Sequence, residues 1–479
     1  MQDLSDTFGG AVAGLDIAGV TADSRQVVPG DLFAALPGAQ ADGRAFIAEA
    51  VRRGAVAILA PTGTAWPDGV PERPLLLDRE PRQRLARIAA LLAGPQPRTV
   101  VAVTGTNGKT STVEFLRQIW TLAGYKAASL GTLGLIAPGF APGPGLTTPD
   151  PISLAESLAG LARAGMQHAA LEASSHGLDQ FRLDGARIAA AGFSNLTRDH
   201  LDYHGTLDAY RTAKLRLFTD LLPEGAPAVA CADMEPTTLS ALRDIAARRH
   251  LKLRTVGEAG EHWTLRHARP RSDGQDLTIE AEGTVRTVPL MLPGRFQADN
   301  VMLAGALAEA LGLSDVFSRL PALTGVRGRM ELAAALPNGA VAYVDYAHTP
   351  DALERLLTAL RPHTAGRLIV VFGAGGDRDR GKRPLMGESA ARHADRAIVT
   401  DDNPRSEDPA SIRAAILAGC PGAMEIGDRA HAIETGLNML RPGDVLAVAG
   451  KGHEQGQTIG TTVVPFDDAS LIRHLAGTA

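Results

Sequence analysis

Short apolar runs alternate with longer amphipathic segments along most of this chain. In the amphipathic segments apolar residues recur every three or four positions, as in helices that cover one face of a sheet. The apolar runs have the length and β-branched content of buried strands. They lie at 99–103, 168–171, 188–193, 341–344, 367–372, 396–399 and 445–448. This order predicts an α/β protein, and in its last third a mostly parallel sheet with helices on both faces.

Two other regions have different patterns. Residues before 97 contain shorter apolar runs, which predict short strands and one helix, with turns at Pro29-Gly30-Asp31 and Asp42-Gly43. Between about 250 and 290 polar and apolar residues alternate, which predicts antiparallel strands. Segments rich in Pro, Gly and Arg lie at 94–98 and 325–329. Because 479 residues are too many for one core, we predict three domains, at 1–97, 98–327 and 328–479.

The composition argues against several classes of protein. A net charge of −5 disfavours nucleic acid as the main partner. The two cysteines, Cys231 and Cys420, lack the spacing of a zinc site or a disulfide framework, so we expect both to be buried. The first residues do not resemble an export signal, and no apolar run is long enough to cross a bilayer. These features predict a cytoplasmic enzyme without membrane insertion.

A glycine-bearing turn between a predicted strand and a predicted helix is the strongest chemical signal. It follows the run at 99–103, precedes a helix predicted for 112–122, and consists of Gly105, Thr106, Asn107, Gly108, Lys109, Thr110 and Ser111. Backbone N–H groups and the positive helix end would face phosphates, Lys109 would add a charge, and the Thr110 hydroxyl would bind Mg²⁺. Val103 stands where the standard phosphate loop has glycine. We nevertheless interpret the turn as an ATP site, because a ligand-free turn would not need Gly-Lys-Thr.

Polar side chains cluster after the strand predicted for 168–171. Glu172 ends that strand and suits a ligand of the nucleotide's Mg²⁺, although an isolated carboxylate at a strand end is more often a surface residue. A polar group behind it favours ligand binding; its members are Ser174, Ser175, His176, Gln180 and Arg182.

A second polar segment, 194–204, is rich in His and Asp and contains His200. This composition suggests a metal or phosphate site, or a loop whose histidines only form hydrogen bonds. It leads into a helix predicted for 206–222, with Thr206 as N-cap. From the helix pattern alone, Lys214 would be solvated.

Four motifs then occur in an order that resembles one family. They are Gly-Thr-Asn-Gly-Lys-Thr at 105–110, Glu-Ala-Ser-Ser-His-Gly-Leu at 172–178, Asn-Leu-Thr-Arg-Asp-His-Leu-Asp-Tyr-His-Gly at 195–205, and Ala-Lys-Leu-Arg-Leu-Phe at 213–218. Over essentially its whole length the chain resembles the Mur ligases, especially the members that add diaminopimelate. The resemblance implies an N-terminal UDP-binding α/β domain, a central P-loop ATPase-like α/β domain with a small antiparallel sheet, and a C-terminal Rossmann-like α/β domain.

The resemblance also implies ATP and two Mg²⁺ ions, with Lys109, Glu172, His200 and Lys214 as the catalytic group. The metal ligands would be Thr110, Glu172, His200 and Lys214, the last as a carbamate formed with CO₂. Carbamylation changes the charge from +1 to −1, so a residue that repels Mg²⁺ becomes a ligand. The reaction needs the neutral amine, which is scarce at the usual lysine pKa of about 10.4. Burial near other cations would lower that pKa.

The same resemblance assigns the substrate contacts. Ser24 and the loop Ala39, Gln40 and Ala41 would hold the UDP part of a UDP-N-acetylmuramoyl-dipeptide. Contacts to the muramoyl-dipeptide would come from Thr147, Thr148, Ser174, Gln180 and Arg182. Leu146 departs from the pattern, because relatives can have Asn before the Thr pair. In the last third, Arg329, Asp345 and His348 would close over ATP, and Asn300 would lie on the adenine side.

Selectivity for the amino acid would lie in Asp402-Asn403-Pro404-Arg405, with Arg378, Gly450 and Glu454 at the remaining matching positions. A proline turn before a helix is the plain interpretation of 402–405. Diaminopimelate-adding relatives have this motif, however, and lysine-adding relatives differ there. A guanidinium can bind a carboxylate through two hydrogen bonds, and lysine's distal end has no carboxylate. Glu454 suits an ammonium group.

The implied reaction transfers the ATP γ-phosphoryl group to the D-glutamyl carboxylate, and the amine of meso-diaminopimelate attacks the acyl phosphate. The expected partners are these small molecules, and the expected state is a monomer. Four alternatives remain: a lysine-adding relative, a folylpolyglutamate synthase-like ligase, a P-loop motor or kinase, and a nucleotide-binding protein without catalysis. Lys214 and Glu454 have no role in a motor or kinase.

Overall fold

The computed structural model describes residues 15–38, 41–140 and 146–477. The chain divides into two compact units: Met1–Thr255 with Ala306–Leu313, and Val256–Gly305 with Ser314–Ala479. Within the described ranges, no helix has both the length and the apolar character needed to cross a membrane.

The helices and strands follow the predicted alternation. The helices are α1 (Ile47–Arg53), α2 (Pro81–Ala93), α3 (Lys109–Leu122), α4 (Pro151–Arg163), α5 (Ser175–Asp179), α6 (Leu201–His204), α7 (Leu207–Arg216), α8 (Pro236–Arg248), α9 (Arg295–Ala310), α10 (Pro350–Leu360), α11 (Lys382–His393), α12 (Pro409–Leu417), α13 (Arg429–Asn438) and α14 (Asp468–Leu475). The strands are β1 (Gly19–Thr21), β2 (Asp31–Ala34), β3 (Ala57–Pro61), β4 (Leu75–Asp78), β5 (Thr99–Thr104), β6 (Ala127–Gly131), β7 (Gly134–Ile136), β8 (His168–Glu172), β9 (Ile188–Phe193), β10 (Pro227–Cys231), β11 (Lys252–Gly257), β12 (Trp263–Arg271), β13 (Gly274–Ala281), β14 (Thr284–Leu290), β15 (Glu331–Ala335), β16 (Val341–Asp345), β17 (Leu368–Phe372), β18 (Arg396–Val399), β19 (Met424–Glu425), β20 (Val445–Ala449), β21 (Gly456–Ile459) and β22 (Thr462–Pro465).

The first unit begins with a small parallel sheet in the order β1-β2-β3-β4. Buried residues of α1 cover one face and buried residues of α2 the other. The prediction of one helix before residue 97 is therefore wrong, because two α-helices form there. The N-cap position of α1, Phe46, offers no side-chain cap, and the helix is only seven residues long. It carries little of the local signal by which helix starts are recognised.

A second parallel arrangement in this unit places the candidate site. The strand order is β10-β9-β5-β8-β6, and β7 pairs antiparallel with β6. β5 and β8 are neighbours, with Val103 opposite Glu172. The loop after β5 and the polar segment after β8 therefore leave the sheet at the same edge, where open α/β sheets bind ligands.

The second unit contains a six-stranded sheet in the order β15-β16-β20-β17-β18-β19. Only β15 pairs antiparallel with its neighbour. Alternate strand residues enter two separate cores: Tyr343 and Val370 pack with α10, α11 and α12, whereas Val344 and Val371 pack with α13 and α14. The predicted sheet with helices on both faces is confirmed. The antiparallel strands predicted for 250–290 form as the meander β12-β13-β14, whereas β11 in the same range pairs parallel with β12.

Two local predictions have different outcomes. Both cysteines are buried, as expected. The helix predicted for 206–222 starts as expected, because the Thr206 hydroxyl accepts a hydrogen bond from the N–H of Ala209. Its α-helical part ends at Arg216, however, and the turn Leu217–Leu221 is a π-helix.

Candidate functional site

The turn after β5 has the backbone that a phosphate loop requires. Gly105 and Gly108 both have positive φ angles, of 144° and 83°, which side-chain-bearing residues rarely adopt. A Cβ on Gly105 would also lie 1.9 Å from the Ser194 hydroxyl oxygen. The first turn of α3 follows directly, and its N-cap residue, Gly108, has no side chain to cap it, so this arrangement suits an anion.

The segment after β9 fixes this loop from the side. The N–H of Thr106 donates to the carbonyl of Asn195 (2.8 Å), and the N–H of Asn107 donates to its side-chain oxygen (3.0 Å). The Ser194 hydroxyl donates to the carbonyl of Asn107 (2.5 Å). Sequence reasoning noticed the histidines of 194–204 but missed Ser194 and Asn195. Their position directly after a strand that neighbours β5 is the signal that would have found them.

Lys109 and Lys214 meet at one carbonyl. Each Nζ donates to the carbonyl oxygen of Gly105 at 2.8 Å, and Lys109 also donates to that of Thr106. Lys214 is 1% exposed, and its Nζ lies 4.5 Å from the ring centroid of Tyr210. Burial, and then the charge of Lys109, hold the pKa of Lys214 well below its usual range. The interpretation of Lys214 as a solvated lysine is wrong, because the helix turns this residue onto the phosphate loop.

Several aromatic and imidazole rings lie close together near the start of α6. His200 has a φ of 51°, and its ring centroid lies 5.0 Å from that of His176 and 6.1 Å from that of Tyr210. His204 lies 5.5 Å from His176. Burial, followed by the neighbouring histidines, lowers the pKa of His176. The structure thus places the His200 ring and Lys214 Nζ both next to the ring of Tyr210.

Glu172 is buried, with 2% of its surface exposed. Its carboxylate accepts hydrogen bonds from the N–H (2.8 Å) and the hydroxyl (3.2 Å) of Thr132. A Cβ on Gly131 would lie 2.1 Å from that carboxylate, so the neighbouring backbone leaves room for it. Carboxylate and hydroxyl oxygens, from Glu172 and the buried Thr110, are the donors Mg²⁺ prefers. The residues therefore fit a divalent cation beside a phosphate. Sequence reasoning missed Thr132.

The residues predicted for the muramoyl-dipeptide lie together next to Glu172. The Thr148 hydroxyl donates to the carbonyl of Glu172 (2.8 Å) and accepts from the N–H of Ser174 (3.0 Å). Arg182 donates to the carbonyl of Thr148 (2.7 Å) and to the Gln180 side chain. The Thr147 hydroxyl lies 3.1 Å from that of Thr132. Leu146 is 60% exposed, so the position where relatives can have Asn presents an apolar side chain.

The predicted UDP contacts lie in the N-terminal sheet region. The Ser24 hydroxyl donates to Glu49 on α1 (3.1 Å), and Ala41 is exposed. Ala39 and Gln40 lie outside the described residues.

In the second unit, three of the four predicted nucleotide contacts lie near the end of β16. The Asp345 carboxylate accepts from the N–H groups of Met330 and Ala347, each at 2.8 Å. Burial raises the pKa of Asp345, and the charge of Arg329 opposes that shift. The Arg329 guanidinium lies 5.1 Å from the ring centroid of Tyr346, whose carbonyl contacts His348. Asn300 instead lies on α9, where its amide donates to Gln297 (3.0 Å).

The residues predicted to bind the amino-acid substrate follow three adjacent strands of the six-stranded sheet in the second unit. Arg378 follows β17, the segment 402–405 follows β18, and Gly450 follows β20. The Arg405 guanidinium donates to the carbonyl of Gly376 (2.7 Å). A Cβ on Gly375 would lie 2.8 Å from that guanidinium and 3.9 Å from the Arg378 side chain, so the two arginines flank one glycine.

The backbone of 402–405 is held in an unusual form. Arg405 has a φ of 52°, and its N–H donates to the carbonyl of Thr458 on β21 (3.1 Å). The carbonyl of Pro404 would lie 1.9 Å from a Cβ on Gly376, and a Cβ on Gly450 would lie 2.4 Å from the Asp402 carboxylate. Two glycines thus allow the segment to pack closely, which explains why the plain proline turn is an incomplete interpretation.

Asn403 and Glu454 contact each other beside this segment, and we call this pair the acidic side of the predicted amino-acid site. The Asn403 amide donates to the Glu454 carboxylate (2.9 Å). Lys451 contacts both residues, at 3.1 and 3.3 Å. Sequence reasoning did not select Lys451.

Descriptions of known protein families match three regions of the chain. The description "Mur ligase family, catalytic domain" matches residues 16–91, "Mur ligase middle domain" matches 103–308, and "Mur ligase, glutamate ligase domain" matches 328–452. Three matched regions fit the predicted three-domain α/β architecture.

Several relatives of similar length carry the name UDP-N-acetylmuramoyl-L-alanyl-D-glutamate–2,6-diaminopimelate ligase. The relative from Caulobacter vibrioides is 56% identical over 96% of each chain. The relative from Rhizobium meliloti is 51% identical over 99% of this chain and 97% of its own. A solved structure of an enzyme with this name is 34% identical, with a TM-score of 0.74 over 96% of this chain and 95% of its own. On this similarity, the chain belongs to the Mur ligase family.

Proposed function

We propose that this chain is the ATP-dependent ligase that adds meso-2,6-diaminopimelate to the D-glutamyl γ-carboxylate of UDP-N-acetylmuramoyl-L-alanyl-D-glutamate. The names and coverage of its relatives support this assignment. The observation that carries it is the placement of Arg405 after β18 and of Glu454 after β20, at one edge of the six-stranded sheet, where Asn403 contacts Glu454. A guanidinium and a carboxylate there match the carboxylate and the ammonium at the distal end of diaminopimelate.

The phosphate loop supplies the ATP part of the reaction. Loop N–H groups and Lys109 would hold the phosphates, with Lys109 leaving its two loop carbonyls to do so. Thr110 and Glu172 would hold one Mg²⁺, and His200 with Lys214 a second. When bound, Mg²⁺ supplies positive charge that offsets the repulsion between the triphosphate and the acceptor carboxylate.

We further propose that Lys214 acts as its carbamate. The lowered pKa makes the neutral amine accessible, and a neutral amine adds to CO₂ with loss of one proton. The product is an anion that sits next to Lys109 rather than a cation that repels it.

In the proposed sequence, the D-glutamyl carboxylate attacks the γ-phosphorus of ATP and releases ADP. The amine of diaminopimelate then attacks the acyl phosphate, and phosphate leaves as the amide bond forms. Arg182, with Thr147, Thr148 and Ser174, would orient the dipeptide carboxylate. Arg378 and Arg405 would orient the incoming amino acid by its carboxylates, so that only one amine reaches the acyl carbon.

The remaining parts of the assignment concern context. We propose domain boundaries at 97 and 327, a monomeric enzyme, and a place in cytoplasmic synthesis of peptidoglycan precursors. Its partners in this role are small molecules only.

Phosphate release with the UDP-muramoyl-dipeptide tests the proposed function. We compare meso-diaminopimelate, lysine and glutamate as acceptors, with reactions lacking the UDP substrate as controls. The expected result is release that needs both substrates and favours diaminopimelate over lysine by at least about 100-fold, because lysine would leave the half-buried Arg405 guanidinium without a carboxylate partner. Release that favours lysine would assign a lysine-adding enzyme. Release that favours glutamate would assign a folylpolyglutamate synthase-like ligase, and release without an acceptor a simple ATPase.

A further inference from the structure

Lys451 is a fully buried charged residue next to the predicted amino-acid contacts, at 0% exposure. It lies two residues after the end of β20, and the proposed reaction gives it no role. Burying an ammonium group is costly unless hydrogen bonds and an opposite charge compensate. The partners it has here therefore indicate what it does.

Those partners are the two residues on the acidic side of the pocket. Lys451 Nζ donates to the Asn403 side-chain oxygen at 3.1 Å and to Glu454 Oε2 at 3.3 Å. Asn403 in turn donates from Nδ2 to the same Glu454 oxygen at 2.9 Å. The three side chains form a closed triangle, and two donors converge on one oxygen of the carboxylate.

The triangle fixes the orientation of the Asn403 amide. Its oxygen also accepts from the N–H of Thr458 at 2.9 Å, so a flipped amide would place its NH₂ group against two donors. The carbonyl of Thr458 in turn accepts a hydrogen bond from the N–H of Arg405. The orientation of the Asn403 amide is thus linked, through Thr458, to the backbone of Arg405.

Both hydrogen bonds to the Glu454 carboxylate use the same oxygen, Oε2. Because Oε2 is engaged twice, Oε1 is left for a ligand; among the described residues no side chain or N–H group donates to it. We propose that Lys451 is a positioning residue for the amino acid: its buried ammonium orients Asn403 and Glu454, so that a single carboxylate oxygen faces the substrate ammonium. This inference rests on the proposed function and adds to it a residue that does not itself touch the substrate.

Steady-state kinetics of Lys451→Met test the inference, since methionine keeps the length and removes the ammonium. We expect KM for diaminopimelate to rise about 10- to 100-fold, the effect of lost hydrogen bonds to a charged group. The KM values for ATP and for the UDP substrate should stay within about twofold. Lys252→Met makes the same chemical change at an exposed lysine and should leave all three unchanged.

A double-mutant cycle with Glu454→Gln separates positioning from general destabilisation. If Lys451 acts through Glu454, adding Lys451→Met to Glu454→Gln should raise KM by less than about threefold. Lys451→Gln retains one donor and should give an intermediate KM, and this variant carries the test if the methionine variant unfolds.

Two results would overturn the inference: a KM for diaminopimelate that moves no more than the other two, or effects of the two substitutions that multiply independently. Failure of the proposed function is distinct, because the wild-type protein would then release no phosphate in response to diaminopimelate.

Discussion

Two buried lysines, one in each unit, have opposite surroundings. Lys214 meets a carbonyl, a tyrosine ring and the charge of Lys109. Lys451 meets a carboxylate and an amide oxygen. The first environment disfavours the ammonium form and exposes a reactive amine, whereas the second compensates the charge and uses it to hold neighbours in place. The chemical role of a buried lysine is therefore set by the groups packed around it.

The largest effect should come from removing the reactive lysine. Lys214→Ala deletes the proposed carbamate, and we expect kcat to fall about 100- to 1,000-fold, as when a transition-state charge contact is lost. Short carboxylates such as formate or acetate should restore part of the activity, because they can occupy the vacated position as ligands. Lys252→Ala, at an exposed lysine, should keep full activity. Activity of Lys214→Ala that no carboxylate raises would count against the carbamate.

A smaller effect is expected from the buried carboxylate on β8. Glu172→Gln keeps the shape but removes the charge proposed to hold Mg²⁺, so kcat/KM should fall about 10- to 100-fold and the Mg²⁺ concentration for half-maximal rate should rise. Glu114→Gln is the matched control: this carboxylate is also buried but pairs with Arg117 on α3. It should lower stability without changing the Mg²⁺ requirement. An unchanged Mg²⁺ requirement in Glu172→Gln would remove Glu172 from the metal site.

The smallest effect is on stability against pH. Burial and Lys109 lower the pKa of Lys214 from its usual 10.5, so between the two values the unfolded chain binds more protons at this residue than the folded chain. Its contribution to the free energy of unfolding therefore rises with pH, by at most about 1.4 kcal/mol per pH unit. Lys214→Met should therefore have a larger free energy of unfolding than the wild type at neutral pH, and the difference between the two proteins should shrink towards pH 10.

Urea unfolding at pH 7, 8 and 9 in CO₂-free buffer measures that difference. Lys252→Met should differ from the wild type by the same amount at every pH. A pH-independent difference for Lys214→Met as well would mean that the folded state does not disfavour the charged lysine.

Much of the fold and of the phosphate loop could be predicted because their signals are local. The strand β5, the glycines at 105 and 108 and the start of α3 lie within about 15 consecutive residues, and backbone requirements fix their types. Before residue 97 one helix was predicted and two form in the described residues; neither α1 nor α2 begins with a capping side chain that would mark its start.

Burial of lysines could not be predicted in the same way. Lys214 is buried by the carbonyl of Gly105, which lies 109 positions away in sequence, and Lys451 by Asn403, which lies 48 positions away. Each environment exists only after distant strands have paired. The roles of Ser194, Asn195 and Thr132 depend on strand neighbours in the same manner.

The central claim is that Arg405 selects an acidic amino acid while ATP activates a different acid. The most direct test measures kcat/KM for meso-diaminopimelate and for lysine in the wild type and in Arg405→Met, with Arg396→Met, an exposed arginine at the start of β18, as control. We expect Arg405→Met to lower the preference for diaminopimelate over lysine about 10- to 100-fold, and Arg396→Met to keep the wild-type preference. An unchanged preference in Arg405→Met would contradict it.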